Sequence, residues 1–394
     1  MKTCTPYVLM AAALLMAACG PTLEQQADEA MNKIIEELNA VGLSVAVVKN
    51  NKMVYTGAFG TKNIVEESQI DTDDLFRIAS ISKSFTATAI MQLYEQGKFD
   101  LDDDAGLALS LPLRHPDYPH IPITYRMLLT HTSSLNDTTG YFSYDVVDPQ
   151  KTKEVWRAYN AYPPGTQYEY CNLGYNLLGG LVEVHSGVRF DEYIQKHITD
   201  PLGLNAHFNV DALNRAQLVP LYHYRNGRFV ESPAAYRSRA AELENYTMGR
   251  SAVIFSPTGG MKMAPKDLAK QMLVQMNQGS WGGVRILKPA SVQAMQTPYG
   301  FPDGRAGDYG FAITTTPDLI EGERLRGHTG SAYGLFSAMY FEPEKKFGFV
   351  MMTNGYPPKH TNGSPLTDHP EEINNFLTIQ SEVINALYNI FIKP

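Results

Sequence analysis

Ser80 and Lys83 have the residue types and the spacing for nucleophilic catalysis. They lie three residues apart in the stretch FRIASISKSF, and the apolar run that follows them ends at Gly97. If this run is a helix, Ser80 lies at its N-terminus, where free backbone N–H groups stabilise a developing oxyanion. Lys83 then lies one turn later on the same face, and a buried lysine loses its charge readily and can accept the serine proton. The pair is therefore a candidate nucleophile and base, although a serine N-cap beside a solvated lysine would have the same spacing.

Two further stretches carry polar residues suited to the same reaction. Tyr170 and Asn172 lie between a Pro-Gly turn and an apolar run with helical character. His328, Thr329 and Gly330 follow a short strand-like segment. A phenol can transfer protons, an amide can hold a carbonyl group, and a glycine in a strand lets a substrate backbone approach. The three elements together favour a catalytic site over a chance match.

Apolar patterns predict the helices and strands that must position these residues. Two β-rich runs flank the sequence Lys49-Asn50-Asn51-Lys52, which is typical of a turn. Further strand-like runs cover residues 309–316, 335–341 and 347–354, and helical patterns cover residues 23–38 and 371–391. Because the strands bracket a middle that reads as helical and loop-rich, we expect early and late strands to share one sheet.

These elements resemble those of the serine β-lactamase and penicillin-binding protein superfamily. The most similar branch is the class C-like one, which also contains esterases, D-amino-acid peptidases and transesterases, and the resemblance covers about residues 43–354. It implies an α/β (α+β) fold of β-lactamase/transpeptidase type, in which an antiparallel sheet is flanked by helices and carries an inserted helical lobe. The expected domain is residues 19–394, with a sheet lobe at about 23–74 and 256–394 and a helical lobe at about 75–255.

The resemblance also implies a mechanism. Ser80 would attack a carbonyl carbon while Lys83 and Tyr170 move the protons, without a metal or an organic cofactor. The backbone N–H groups of Ser80 and Ser331 would hold the oxyanion. Asn172 would orient the acyl group.

His328 departs from the family pattern, because lysine is typical at this position of β-lactamases and transpeptidases. The resemblance implies that His328 and Thr329 meet the leaving portion of the substrate. An unperturbed histidine, with a pKa near 6.5, is mostly neutral at pH 7 and is a weak, pH-dependent anchor for a carboxylate. We therefore expect poor β-lactam hydrolysis beside good activity on uncharged esters, with a selective gain for carboxylate substrates as the pH falls toward 6.

Three activities remain open at this level. The first is a serine hydrolase of esters, amides or D-amino-acid peptides with weak β-lactamase activity. The second is an acyltransferase that passes the acyl group to an alcohol or amine, and the third is a penicillin-binding sensor that is acylated once. Intact Ser80, Lys83 and Tyr170 favour turnover over a sensor but do not rank water against another acceptor.

The start of the chain predicts a bacterial lipoprotein signal peptide at residues 1–18. Lys2 precedes an apolar segment too short to span a membrane, and small residues lead to Cys19, the expected site of lipidation. An ordinary secretory signal is disfavoured because Met16 is bulky for its cleavage site. We expect an exported protein, anchored to a membrane by lipid, that faces the periplasm or the cell surface. After cleavage only Cys171 keeps a free thiol, so no internal disulfide is expected.

Charge and motif content exclude other function classes. The chain has 394 residues and a formal net charge of −8, which argues against a nucleic acid partner. The 10 histidines include no H-E-x-x-H spacing, and the acidic run at residues 99–106 lacks the glycine and distant glutamate of a calcium loop. No metal site is therefore expected. An α/β-hydrolase is disfavoured because the sequence contains no G-x-S-x-G motif.

Overall fold

The structure is a computed structural model that describes residues 20–357, 372–373 and 376–393. The predicted signal peptide and the predicted lipidation site, Cys19, lie outside the described residues. Within these ranges no helix is both long and apolar enough to cross a membrane.

A seven-stranded antiparallel sheet forms the centre of the fold, as the sequence predicted. Early and late strands meet where β1 pairs with β7, and the order across the sheet is β4-β5-β6-β7-β1-β2-β3. The strands are β1 (Gly42–Lys49), β2 (Lys52–Asn63), β3 (Ser68–Gln69), β4 (Thr314–Thr316), β5 (Leu325–Ala332), β6 (Leu335–Glu342) and β7 (Phe347–Gly355).

Helices cover both faces of the sheet, and α2 and α3 belong to the part of the chain inserted between β3 and β4. The longer helices are α1 (Leu23–Leu38), α2 (Lys83–Glu95), α3 (Asn172–Ser186), α4 (Pro265–Met276), α5 (Pro289–Gln296) and α6 (Thr378–Phe391). Short α-helices cover Ala105–Leu109, Tyr125–Leu129, Phe190–Ile194 and Ala240–Leu243, and a π-helical turn covers Gln195–Thr199. Turns of 3-10 helix cover Ala79–Ser82, Tyr144–Val147, Val155–Ala158, Val210–Ala212, Arg215–Gln217, Pro233–Tyr236 and Ser251–Phe255.

Smaller sheets surround this core. One has three strands, Phe76–Arg77, Lys262–Met263 and Ala206–His207, and it holds the chain just before Ser80. The two-stranded sheets pair Tyr222–Arg225 with Arg228–Glu231, Ser280–Trp281 with Val284–Arg285, and Glu372–Ile373 with Phe376–Leu377.

Strand alternation in β1 shows how the sheet serves two apolar layers. Leu43, Val45 and Val47 belong to the layer that contains α1 and α6. Ala46 and Val48 belong to the larger layer that contains α2, α3 and α4. Because successive side chains of a strand point to opposite faces, one strand packs against both sets of helices. The sheet is thus a rigid, buried base for the residues at its edge.

Turn residues explain where the first hairpin closes. Asn50 and Asn51 have φ angles of 53° and 61°, and Lys49 pairs with Lys52 across the turn. Asparagine tolerates this left-handed conformation, which a tight two-residue hairpin requires. The predicted turn is confirmed.

Two predicted elements are shorter in the structure. The strand expected at residues 309–316 is reduced to Thr314–Thr316, because Ala312 has a φ of 59° and breaks the extended conformation. The helix expected at residues 371–391 begins at Thr378, where the Gln380 side chain accepts the Leu377 N–H at 3.1 Å and caps the first turn.

Candidate active site

Ser80 is the accessible residue of a buried, strained segment. It lies in a 3-10 turn, Ala79–Ser82, that leads into α2, so the α-helix begins three residues later than the sequence suggested. Ala79 has a φ of 47°, which is costly for a residue with a Cβ. Ala79 and Ile81 are buried, whereas Ser80 is half-buried. Strain of this kind is often found at functional sites.

The Lys83 amine is fully buried beside Ser80. Its Nζ lies 2.8 Å from Asn172 Oδ1, 3.1 Å from the Thr258 carbonyl oxygen and 3.3 Å from Ser80 Oγ. Burial lowers the pKa of Lys83 to about 7, and the nearby Asp137 carboxylate opposes this shift. A substantial fraction of the amine is therefore neutral at neutral pH.

The three partners of Lys83 match the hydrogen-bonding groups of a neutral amine. A neutral amine has two N–H donors and one lone pair. The oxygens of Asn172 and Thr258 can only accept, so they take the two donors. In the ammonium form the third N–H donates to Ser80 Oγ, and when that proton is lost the lone pair is left facing the Ser80 hydroxyl. This arrangement suits a general base that removes the serine proton.

Tyr170 lies against the same amine. Lys83 Nζ is 4.6 Å from the centroid of the Tyr170 ring. Burial raises the pKa of Tyr170, and the proximity of Ser80 opposes this only in part, so the phenol stays protonated. Its hydroxyl is buried and has no hydrogen bond of normal geometry within the described part of the chain. Tyr170 is therefore suited to donate a proton rather than to act as a tyrosinate base.

Asn172 is held at both ends of its amide. Its Oδ1 accepts from Thr258 Oγ1 at 2.6 Å as well as from Lys83, and its Nδ2 donates to Asp137 at 2.9 Å. Asp137 also accepts the backbone N–H groups of Asn172 and Leu173 at the start of α3, where a carboxylate is favourable. The resemblance assigned Asn172 to the acyl group, whereas the structure places its amide against the base.

Gly330 lets β5 run directly beside the residues that precede Ser80. A Cβ at Gly330 would lie 2.5 Å from the Ile78 carbonyl oxygen and 2.4 Å from Ser337 Oγ. Thr329 is half-buried and Ser331 is exposed on the same strand. The contact of β5 with the segment before Ser80 therefore requires a residue without a side chain.

His328 is buried, and both of its ring nitrogens have hydrogen-bond partners. Its Nδ1 donates to the Thr329 carbonyl oxygen, so its Nε2 accepts from the Tyr309 hydroxyl at 3.0 Å. Burial, together with the charge of Lys83, lowers the pKa of His328 to about 4. The ring is therefore neutral at pH 6, which removes the physical basis for the predicted gain for carboxylate substrates near that pH.

Comparison with known proteins identifies the family. Residues 28–367 match the family model described as Beta-lactamase. The chain belongs to this family. It is 28% identical over 328 residues to "Penicillin-binding protein 4*" of Bacillus subtilis (strain 168), covering 79% of this chain and 67% of that protein. It is 24% identical over 342 residues to "Protein flp" of Staphylococcus aureus (strain N315), covering 84% of this chain and 63% of that one. The chain thus spans about two thirds of the length of these relatives.

A solved structure supports the same assignment. The octameric penicillin-binding protein homologue from Pyrococcus abyssi superposes with a TM-score of 0.68 at 28% identity, covering 84% of this chain and 74% of that one. The fold and the family are therefore those of the serine β-lactamase and penicillin-binding protein superfamily, whose members are serine hydrolases.

Two residues that contact the candidate site, Thr258 and Asp137, were not predicted from the sequence. Thr258 and Asp137 contact the Lys83–Asn172 pair from separate loops, and their polar contacts leave no periodic signal in the chain. Cys171 lies between Tyr170 and Asn172. Its thiol is buried, its Sγ lies 3.4 Å from Asp137 Oδ1, and burial raises its pKa. In the described ranges, no group of histidine, cysteine, aspartate and glutamate residues could hold a metal ion.

Proposed function

We propose that this protein is a serine hydrolase that forms an acyl-enzyme on Ser80 and cleaves an ester, amide or D-amino-acid peptide bond. The observation that carries the proposal is the buried Lys83 amine, whose Nζ lies 3.3 Å from Ser80 Oγ and whose pKa burial lowers to about 7. A base with a pKa near the working pH combines a useful neutral fraction with sufficient basicity.

The proposed reaction has two steps. In the first, Lys83 accepts the Ser80 proton, Oγ bonds to the carbonyl carbon, and Tyr170 donates a proton to the leaving group as its bond to carbon breaks. Lys83 then passes its proton to the Tyr170 oxygen and is neutral again. In the second step, water gives a proton to Lys83 as its oxygen bonds to the acyl carbon, the bond from that carbon to Oγ breaks to release the acid, and Lys83 returns the proton to Ser80. The close approach of β5 to the segment before Ser80 supports an oxyanion site made by the backbone N–H groups of Ser80 and Ser331.

The substrate class follows from the neutral ring of His328. A charge-assisted hydrogen bond to a carboxylate is worth about 1.5–3 kcal/mol, which corresponds to roughly ten- to a hundredfold in rate. Since His328 is buried and both its ring nitrogens have partners, it supplies no such bond. We therefore propose acyl substrates without a carboxylate at that position, and only weak β-lactamase activity.

A panel of p-nitrophenyl esters, nitrocefin and D-alanyl peptides tests this proposal when product and intact-protein mass are followed together. Steady release that is abolished by Ser80→Ala is the expected result. Release accelerated by added alcohols would instead indicate an acyltransferase, and a single lasting adduct would indicate a sensor. Labelling by a fluorophosphonate at another serine would overturn the assignment of Ser80.

We also propose that the protein is a membrane-anchored lipoprotein that faces the periplasm or the cell surface. The support is the sequence around Cys19 alone. Cys19→Ala is expected to release the protein from the membrane fraction of its own host, and a wild-type protein that is already soluble and unlipidated would overturn the proposal.

A further inference from the structure

His131 holds the chain on both sides of Tyr170. Its carbonyl oxygen accepts the Glu169 N–H at 2.9 Å, and its Nδ1 accepts the Cys171 N–H at 3.1 Å. One residue therefore accepts the backbone N–H groups of the residues immediately before and after the tyrosine. The mechanism proposed above does not use this histidine.

The imidazole ring of His131 also packs on the phenol itself. The two ring centroids are 4.4 Å apart, with 41° between the planes. The His131 ring is also 4.9 Å from that of Tyr309 and 5.1 Å from that of Tyr175. Tyr170 has two main side-chain torsions to fix, and this contact restricts both while leaving the hydroxyl without a partner of its own in the described part of the chain.

The protonation state of His131 follows from its partners. Burial and the charge of Lys83 lower the pKa of His131 well below its usual value, so the ring is neutral. Because Nδ1 accepts from Cys171, the proton is on Nε2. Nε2 is itself buried without a partner in the described ranges, and the residue has a left-handed φ of 58°. Both features are costly, which argues for a role beyond filling space.

We infer that His131 is a positioning residue that fixes the Tyr170 hydroxyl for proton donation to the leaving group. The inference rests on the proposed hydrolase function. It depends on the acceptor at Nδ1 and on the ring contact, and His131 itself need not touch the substrate. A misplacement of about 1 Å can cost on the order of a hundredfold in rate.

Three variants separate the acceptor from the backbone strain. His131→Ala removes the acceptor and the ring. His131→Asn keeps an acceptor oxygen near the position of Nδ1 and tolerates the left-handed backbone, and His131→Gly relieves the strain without restoring the acceptor. If His131→Ala does not fold, His131→Gln, which retains bulk but moves the acceptor to the ε position, replaces it with the same expectation.

The measurement is the acylation rate with a neutral alkyl ester, whose poor leaving group needs the proton from Tyr170, normalised to the endpoint of fluorophosphonate labelling of the full chain. We expect His131→Ala and His131→Gly to lose about ten- to a hundredfold in kcat with KM changed less than about twofold. His131→Asn, which keeps the acceptor but not the ring contact, should be at least about threefold faster than His131→Ala. A merely structural role would lower the labelled fraction but leave the rate per labelled site unchanged.

The Tyr170→Phe background gives the decisive comparison. If His131 acts through the Tyr170 hydroxyl, His131→Ala should cost less than about threefold once that hydroxyl is absent. A full additional loss in the double variant, a wild-type rate per site in His131→Ala, or recovery in His131→Gly would each overturn the inference. A wild-type protein without Ser80-dependent turnover would instead overturn the proposed function.

Discussion

Two buried basic groups lie near Ser80: Lys83 on the helix side, at the start of α2, and His328 on the strand side, in β5. Burial lowers the pKa of both, but the consequences are opposite. On the helix side, the partners of Lys83 leave one lone pair for the serine hydroxyl. On the strand side, His328 has both nitrogens occupied, by the Thr329 carbonyl oxygen and the Tyr309 hydroxyl. Burial alone therefore does not make a base. A catalytic base also needs an unoccupied lone pair directed at the proton it removes.

The two pKa values reinforce this difference. Burial lowers the pKa of Lys83 to about 7, close to a neutral working pH, and that of His328 to about 4. Around pH 7, His328 stays neutral while Lys83 changes charge. The helix side should therefore determine the pH dependence of the reaction, and the strand side should contribute shape without charge.

Substitution of Lys83 should have the largest effect on this comparison. Lys83→Ala should lower the acylation rate by about 10² to 10⁴, the range for a lost general base. Lys83→Arg should be equally poor, because arginine keeps its charge. In stopped-flow assays, each variant should be acylated more slowly by the same factor with a neutral ester and with a β-lactam.

A second buried lysine provides a matched control. Burial lowers the pKa of Lys262 well below its usual value, and its amine donates to the Phe208 carbonyl oxygen. Lys262→Met should retain the acylation rate per labelled site within about threefold, because none of the hydrogen bonds of its amine reaches Ser80. If Lys262→Met lost as much acylation rate as Lys83→Ala, the loss would follow from removing any buried amine and not from removing the base beside Ser80.

Tyr170→Phe should have the next largest effect. The change removes the hydroxyl and keeps the ring that faces Lys83, so the base remains in place. A loss of about 10², at the lower end of the usual range for general acid–base groups, is expected in kcat for esters with poor leaving groups. Esters with good leaving groups, such as p-nitrophenolate, need less protonation and should lose less. Full activity on both would show that another tyrosine donates the proton.

Local spacing explains why part of the site could be predicted from the sequence. Ser80 and Lys83 are neighbours in the chain, and their relation survives the correction that Ser80 lies in a 3-10 turn. Thr258 and Asp137 come from loops far along the chain, so only the folded structure brings them to Asn172. The charge of His328 could not be predicted because it depends on burial, which is a tertiary property.

The fold shows the same division. The first hairpin was predicted because Asn50 and Asn51 are themselves the turn signal. The start of α6 was missed because apolar spacing continues upstream of Thr378, and the Gln380 cap that decides the boundary is a side-chain contact. Features that depend on adjacent residues could therefore be predicted from the sequence, whereas boundaries set by distant or capping contacts could not.

Asp137→Asn should shift the pH profile without abolishing activity. The Asp137 carboxylate raises the pKa of Lys83, so its removal should lower that pKa further. The midpoint of the acylation rate should move to lower pH, by less than about one pH unit. Weaker capping of α3 should cost about 1 kcal/mol in thermal unfolding. A shift toward higher pH would contradict the electrostatic role of Asp137.

His328→Ala should have the smallest effect on substrate selectivity. Because His328 is neutral from pH 6 to pH 8, the ratio of nitrocefin to neutral-ester kcat/KM should change less than about twofold across that range, in wild type and variant alike. A selective gain for nitrocefin at pH 6 that disappears in His328→Ala would show that the ring takes up a proton near its ordinary pKa.

The pH dependence of acylation in the wild-type protein tests the role of Lys83 most directly. Only the neutral amine can accept the Ser80 proton, so the single-turnover rate on a neutral ester should rise about tenfold per pH unit below pH 7. It should level off above a midpoint near the lowered pKa of Lys83, about 7. A midpoint near 10, the ordinary range for lysine, or a rate independent of pH between about 5.5 and 8.5 would contradict a neutral, buried Lys83 as the base.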